Sequence, residues 1–184
     1  MKITGGQLRR RRLHAAEASL FCPTARRLRE TLFEFLAPHI TGARFLDLCA
    51  GSGACGIEAL SRGAAFVTFV EREPKTCGQI ETNLIAAGAA VERRKTVRAE
   101  AASFLAHAGA EQVWDIVFYD PPYATDYAPV LAHFSAGAAL RRKGGVLVVE
   151  HHCERRLADR LGVLRRWRLV WQGQSCLSFY ERRG

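Results

Sequence analysis

Lysine is scarce in this chain of 184 residues: Lys2, Lys75, Lys95 and Lys143 are the only four, and the other 23 of its 27 basic residues are arginine. Acids are outnumbered, 18 against 27, which leaves a net charge of +9. No apolar run approaches the roughly 18 residues that a membrane helix needs, so no membrane partner is expected. The N-terminus carries charge without an apolar stretch, which argues against a secretory signal. Its first 16 residues are arginine-rich and free of acids, a composition that transit peptides share. The six cysteines include no C-x-x-C pair, so no structural zinc site is indicated and no metal is expected. Several cysteines sit in apolar stretches, as reduced buried thiols do, which points to a reducing cytoplasmic compartment. Internal repeats, low-complexity tracts and an interdomain linker are all missing, and the length suits one domain.

Hydrophobic residues make up 48% of the chain. Disordered chains combine high charge with low hydrophobicity, so a packed domain with a positive surface is expected here. Such a surface favours an anionic partner. The charge is concentrated. Residues 1–30 hold eight basic residues against Glu17 and Glu30, six of the nine net charges. Residues 1–22 read as a basic N-terminal arm and 23–184 as the single domain. Arg9, Arg10, Arg11, Arg12, Arg26 and Arg29 are the candidates for phosphate contact. The alternative for such a run is a solvated, ion-paired surface.

The body of the chain alternates between two periods. Residues 43–49, 65–71, 113–120, 145–150, 164–171 and 175–180 read as strands, with a weaker one near 95–98. Residues 23–39, 56–62, 75–87, 99–108 and 128–140 read as helices. Apolar strands alternating with helices predict an α/β fold, a parallel sheet covered on both faces.

The first predicted strand ends at Asp47-Leu48-Cys49. Ala50-Gly51-Ser52-Gly53-Ala54-Cys55-Gly56 follows it, satisfying G-x-G-x-x-G between a strand and a helix. Glycines there let the backbone turn sharply and let a ligand lie against bare amides. Glu71 ends the second strand 20 residues after Gly51, where a carboxylate meets ribose hydroxyls in nucleotide-binding sheets. Dinucleotides and S-adenosylmethionine both fit this pattern. Asp47 tips the choice: a carboxylate just before the turn repels a diphosphate and suits the ammonium of an aminoacyl group.

The fourth strand ends in Asp120-Pro121-Pro122-Tyr123, at the carboxyl end where open α/β sheets bind ligands. Two prolines stiffen the loop and remove two backbone donors, so carbonyls stand without competing N–H groups. Asp120 and the Pro121 carbonyl can both accept from one amino group, and Tyr123 offers a face for a planar base. This suits a planar exocyclic amine. Its lone pair is delocalised into the ring until two acceptors on its hydrogens draw the nitrogen toward tetrahedral geometry.

With both constellations the chain resembles the class I S-adenosylmethionine-dependent methyltransferases of the N/D-P-P-Y/F group. More closely, it resembles the RsmD-type enzymes that methylate guanine N2 of bacterial 16S ribosomal RNA. Met1-Lys2-Ile3-Thr4-Gly5-Gly6, the Pro-Thr and Arg-Glu-Thr-Leu-Phe of residues 23–33 and Glu58-Ala59-Leu60-Ser61-Arg62-Gly63 carry the likeness beyond the two motifs. It implies a Rossmann-like fold with a seven-stranded, mostly parallel sheet whose last strand is antiparallel, with helices on both faces. The implied cofactor is S-adenosyl-L-methionine, at Asp47, Ala50, Gly51, Ser52, Gly53, Glu71, Arg72, Glu100, Ala101 and Asp120. The implied catalytic pocket is Asp120, Pro121, Pro122 and Tyr123. The implied partner is 16S rRNA within the assembled or partly assembled 30S subunit, with adjacent ribosomal protein as part of the surface, and the protein is expected to be a monomer. Four residues depart from the family pattern. Glu100 stands where Asp is common, Cys22 and Arg26 where Arg and an acid are common, and Arg10 where glycine is common.

Other readings compete. The same tetrapeptide serves adenine N6 or cytosine N4 of DNA, although no separate target-recognition domain accompanies it here. It also serves a glutamine amide, usually with Asn at position 120. A catalytically inactive RNA-binding assembly factor would keep the fold alone. His151-His152 reads as an ordinary strand-end pair. Trp167 and Trp171 read as strand core beside outward arginines.

Overall fold

The computed structural model describes residues 1–14, 23–108 and 112–182. Helix α1 (Pro23–Ile40) leads into β1 (Arg44–Leu48), α2 (Ala54–Ser61), β2 (Phe66–Glu71), α3 (Pro74–Ala87), a 3-10 turn (Val91–Arg93) and β3 (Arg94–Arg98). Then follow α4 (Ala101–His107), β4 (Ile116–Tyr119), α5 (Ala128–Ser135), β5 (Val146–His152), β6 (Arg160–Leu161), β7 (Leu164–Gln172) and β8 (Ser175–Arg182).

The strands form one sheet in the order β3-β2-β1-β4-β5-β8-β7-β6. The first five are mutually parallel, and β8 runs antiparallel to both β5 and β7. Alternation along the buried strands divides the core in two. Phe45, Phe69, Phe118 and Val148 face α1, α2 and α3, whereas Leu46, Leu48, Tyr119 and Val149 face α4 and α5. The strand order reverses between β1 and β4, so the loops after these strands part there and leave a crevice.

Three details differ from the sequence reading. The sheet has eight strands rather than seven, because the two residues of β6 pair with the start of β7 at the edge. The helix expected over 128–140 stops at Ser135, since Gly137 and Ala139 both take positive φ, at 81° and 58°, which an α-helix cannot accommodate. Trp167 and Trp171 are 41% and 63% exposed rather than core. A register shift between Arg166 and Arg168 inserts Trp167 as an extra residue and breaks the alternation that placed them inside.

The segment read as an arm is, over residues 1–14, part of the domain. Its ends pair as Lys2 with Arg12, and Ile3 and Leu13 are 2% and 3% exposed in the larger core. Glu58, fully buried on α2, accepts from Thr4 N (2.8 Å), Thr4 Oγ1 (2.7 Å) and Gly5 N (2.7 Å). Asn83 on α3 holds the far end, accepting from His14 N and donating to His14 O. The rest of the expected arm, 15–22, including Cys22, lies outside the described residues.

Candidate active site

The site is built from loops at the carboxyl ends of β1, β2, β3, β4 and β5. After β1 the chain enters the left-handed region at Cys49 (φ 63°), Gly51 (54°) and Gly53 (75°). A side chain at Gly51 would meet nothing within 4 Å, so the backbone there borders open space. Gly56 has the opposite reason: a Cβ would stand 2.2 Å from the Phe69 ring, so only glycine lets α2 lie on β2. Cys49, a non-glycine in the left-handed region, holds strain of the kind stored at functional sites. Burial pushes its thiol up to about 12, so it stays protonated.

Asp47 is 1% exposed, and its Oδ2 accepts from Gly56 N at 2.8 Å. Burial, against that hydrogen bond, holds its carboxyl well above the usual range, with Asp120 and Glu71 adding to the rise. Glu71 is oriented by three amides: Gly51 N at 3.0 Å, Arg72 N at 2.8 Å and Glu73 N at 3.0 Å. Glu100 caps α4, accepting from Ala102 N (3.0 Å) and Ser103 N (3.2 Å). Burial raises the carboxyl of Asp120 above its usual range, and burial plus the charge of Asp120 does the same to Glu150.

Two cavities meet at Cys49, Gly51 and Asp120. The larger, about 500 Å³, is bordered by Glu71, Arg72, Glu100 and Ala101 on one side and by Asp120, Pro121, Pro122 and Tyr123 on the other. The smaller, about 220 Å³, is bordered by Asp47, Ala50, Ser52, Arg29 and Glu150. Every residue expected at the cofactor or the catalytic pocket therefore borders this space except Gly53. That glycine starts α2 behind the cleft, against Ile80 and Phe69.

Six of the 18 acids, Asp47, Glu71, Glu73, Glu100, Asp120 and Glu150, line these joined cavities in a chain of net charge +9. The buried ones, Asp47, Asp120 and Glu150, hold their protons more tightly than usual unless a cation joins them. The donor set thus fits a ligand with cationic centres and ribose hydroxyls, and it does not fit a diphosphate. An S-adenosylmethionine, with its ammonium and sulfonium, answers both requirements.

The arginines separate into two groups. Arg9, Arg10, Arg11 and Arg12 are exposed on the hairpin turn. Arg9 and Arg10 share a groove of about 290 Å³ with Arg26, which pairs with Glu30 at 3.0 Å. Arg29 does not belong with them. It is 5% exposed, donates to Met1 Sδ and Lys2 O, and pairs with Glu58, because α1 turns that face onto α2. Its side chain serves the fold and the smaller cavity, not the exposed arginine surface.

Sequence reasoning missed Glu150, Ser175 and Arg155. Glu150 lies two residues before the end of β5, and Tyr123 Oη lies 2.6 Å from Ser175 Oγ. Arg155 donates to the Tyr123 carbonyl at 2.8 Å and stacks on the Tyr127 ring at 4.1 Å, bracing the proline loop. The one available signal for Glu150 was an acid at the carboxyl end of a strand next to β4. His151 is buried, bonded to Ser178 Oγ (2.9 Å) and His152 O (3.0 Å).

Residues 1–181 match the family model described as "Conserved hypothetical protein 95". The chain belongs to this family. Ribosomal RNA small subunit methyltransferase D of Escherichia coli (strain K12) is 45% identical over 123 residues, 67% of this chain and 60% of that protein. The chain thus aligns with about three fifths of that relative's length. The solved structure of yhhF from Escherichia coli superposes with a TM-score of 0.85 at 34% identity, over 100% of this chain and 98% of that one. SMU.776, solved in complex with SAH, shares the fold with a TM-score of 0.72 at 14% identity, over 88% of this chain and 50% of that one. The fold is the Rossmann-like methyltransferase fold, with its parallel strands followed by antiparallel ones at the C-terminal edge.

Proposed function

We propose that this protein transfers a methyl group from S-adenosylmethionine to the N2 amine of a guanine in 16S rRNA, on an assembled or partly assembled small subunit. One observation carries the reading. The Asp120-Pro121-Pro122-Tyr123 loop borders the same cavity as Glu71 and Glu100, so an amine acceptor site opens directly into a carboxylate-lined cofactor cleft. Membership of the family and the name of its Escherichia coli relative support the substrate class.

In this reading Asp47 faces the ammonium of the cofactor, Glu71 its ribose hydroxyls, and the Ala50–Ser52 backbone, Arg72, Glu100 and Ala101 border the rest. The bound cofactor supplies a methyl group activated by a sulfonium. The chain's own work is done on the amine. Tyr123, 41% exposed, offers its ring to a base drawn out of its stack. Asp120 and the Pro121 carbonyl accept the two amine hydrogens and free the nitrogen lone pair for in-line attack. As the N–C bond forms and the methyl's bond to sulfur breaks, which leaves S-adenosylhomocysteine, the nitrogen gives up one proton, to Asp120 or through it to water. Arg9, Arg10, Arg11, Arg12 and Arg26 hold RNA phosphates.

Purified protein should transfer radiolabelled methyl to small subunits from cells lacking the enzyme. Digestion to nucleosides should then give N2-methylguanosine at one position. Label in N6-methyladenine or N4-methylcytosine of DNA, or no transfer to any RNA, would overturn the reading.

A further inference from the structure

The site contains a second carboxyl beside Asp120. Strands β4 and β5 are parallel neighbours with Tyr119 opposite Val149, so Asp120 and Glu150 occupy the next rung, at the end where the cavities open. Both border the smaller cavity. Strand β8 starts at Ser175, opposite His152 of β5 and two residues beyond Glu150. Tyr123 Oη lies 2.6 Å from the Ser175 hydroxyl, so the stacking ring is tied to the strand that pairs with β5.

We propose that Glu150 reads the ring position beside the methylated amine, accepting an N–H there and rejecting a ring nitrogen that carries a lone pair. This deepens the function proposed above and rests on it. The chemistry is that of the bases themselves. The N2 amine of guanine is flanked by N1–H, a donor, whereas the N6 amine of adenine and the N4 amine of cytosine are flanked on that edge by an acceptor nitrogen. Asp120 and the Pro121 carbonyl serve any of the three amines alike. A second carboxylate one rung away does not: it bonds N1–H of guanine and confronts a lone pair in the other two. Burial and the charge of Asp120 raise the Glu150 carboxyl to about 8, so the selection operates on its ionised form, which a cationic cofactor favours; that form gains a partner from guanine and none from the other two bases.

The test replaces the target guanine, once mapped, by 2-aminopurine in subunits reconstituted from synthetic RNA. That base keeps the 2-amino group and lacks N1–H. The wild-type protein should favour guanine over 2-aminopurine in kcat/KM by roughly 10–100-fold, the range for a hydrogen bond to a charged group. Glu150→Ala should lose rate on guanine and little on 2-aminopurine, so that the ratio falls toward one. Glu150→Gln, whose amide oxygen still accepts, should keep part of the preference and shows that the fold survives at this position. An unchanged ratio in Glu150→Ala and Glu150→Gln overturns the proposal. Failure of the wild-type protein to methylate any guanine overturns the proposed function instead.

Discussion

Arg29 and Glu58 form an ion pair inside the protein, Nε to Oε2 at 3.6 Å, with side chains 5% and 0% exposed. Glu58 also takes Arg62 Nε at 2.9 Å and three donors from Thr4 and Gly5. One carboxylate therefore fastens the N-terminal hairpin, α1 and α2 together. Glu58→Ala strands a buried guanidinium, and breaking one partner of such a pair costs about 3–5 kcal/mol. Urea unfolding should show that loss, and limited proteolysis should cut the hairpin first. A surface-like loss below about 1 kcal/mol would show that the pair is dispensable.

Arg10 sits on the hairpin turn with φ 72°. A left-handed conformation costs a non-glycine residue about 1–2 kcal/mol. The sequence departure at this position is thus a conformational one: glycine is the residue the backbone favours, and arginine adds charge at the cost of strain. Arg10→Gly should raise the urea midpoint while weakening subunit binding. Neutralising Arg9, Arg11 and Arg12 as well should flatten the salt dependence, by about 0.7–0.9 in slope for each phosphate no longer neutralised. A salt slope that does not move would return the cluster to plain solvation.

Asp120→Ala should reduce methyl transfer by about 10²–10³, the loss that follows removal of one preorganised partner of the developing charge. Calorimetry should find cofactor affinity reduced far less than the rate. Asp120→Asn keeps an acceptor oxygen and should retain more activity than Ala. Equal loss of affinity and rate in Asp120→Ala would assign the residue to cofactor binding.

Asp47, Asp120 and Glu150 all hold their protons more tightly in the fold than in the unfolded chain. Their cost to stability is absent below the ordinary carboxylate range and grows as pH rises through their raised values. A cation in the cleft relieves that cost. The rise in urea midpoint on adding S-adenosylmethionine should therefore be larger at pH 8 than at pH 5. S-adenosylhomocysteine, lacking the sulfonium charge, should show a smaller difference between the two. Equal increments for both ligands at both pH values would mean that the acids do not sense the ligand's charge.

Short-range pattern made much of this legible without coordinates. The periods of two and 3.6 marked the strands and helices. Gly51 and Gly53 marked a turn, and Asp120-Pro121-Pro122-Tyr123 marked a stiff loop at a strand end, because each depends on neighbours a few residues away. Where short-range pattern failed, the cause was also local geometry. The helix expected to reach Leu140 ended at Ser135 because Gly137 takes a positive φ just past the C-cap, a glycine stop signal that the helical period overran.

The amino-acid sequence by itself determined the alternation that builds a doubly covered sheet, the two motifs that border the cleft, and the surplus of arginine. Only the tertiary structure decided which arginines face water, that Glu58 would gather the N-terminus, and that Glu150 would stand beside Asp120. Arg29 and Arg26 are three residues apart on one helix, yet one is buried and the other exposed, because α2 covers a single face of α1. Glu150 and Asp120 are 30 residues apart and meet because β5 pairs with β4. Which strands pair follows from how all the apolar faces are buried at once, a condition on the whole chain rather than on any stretch of it.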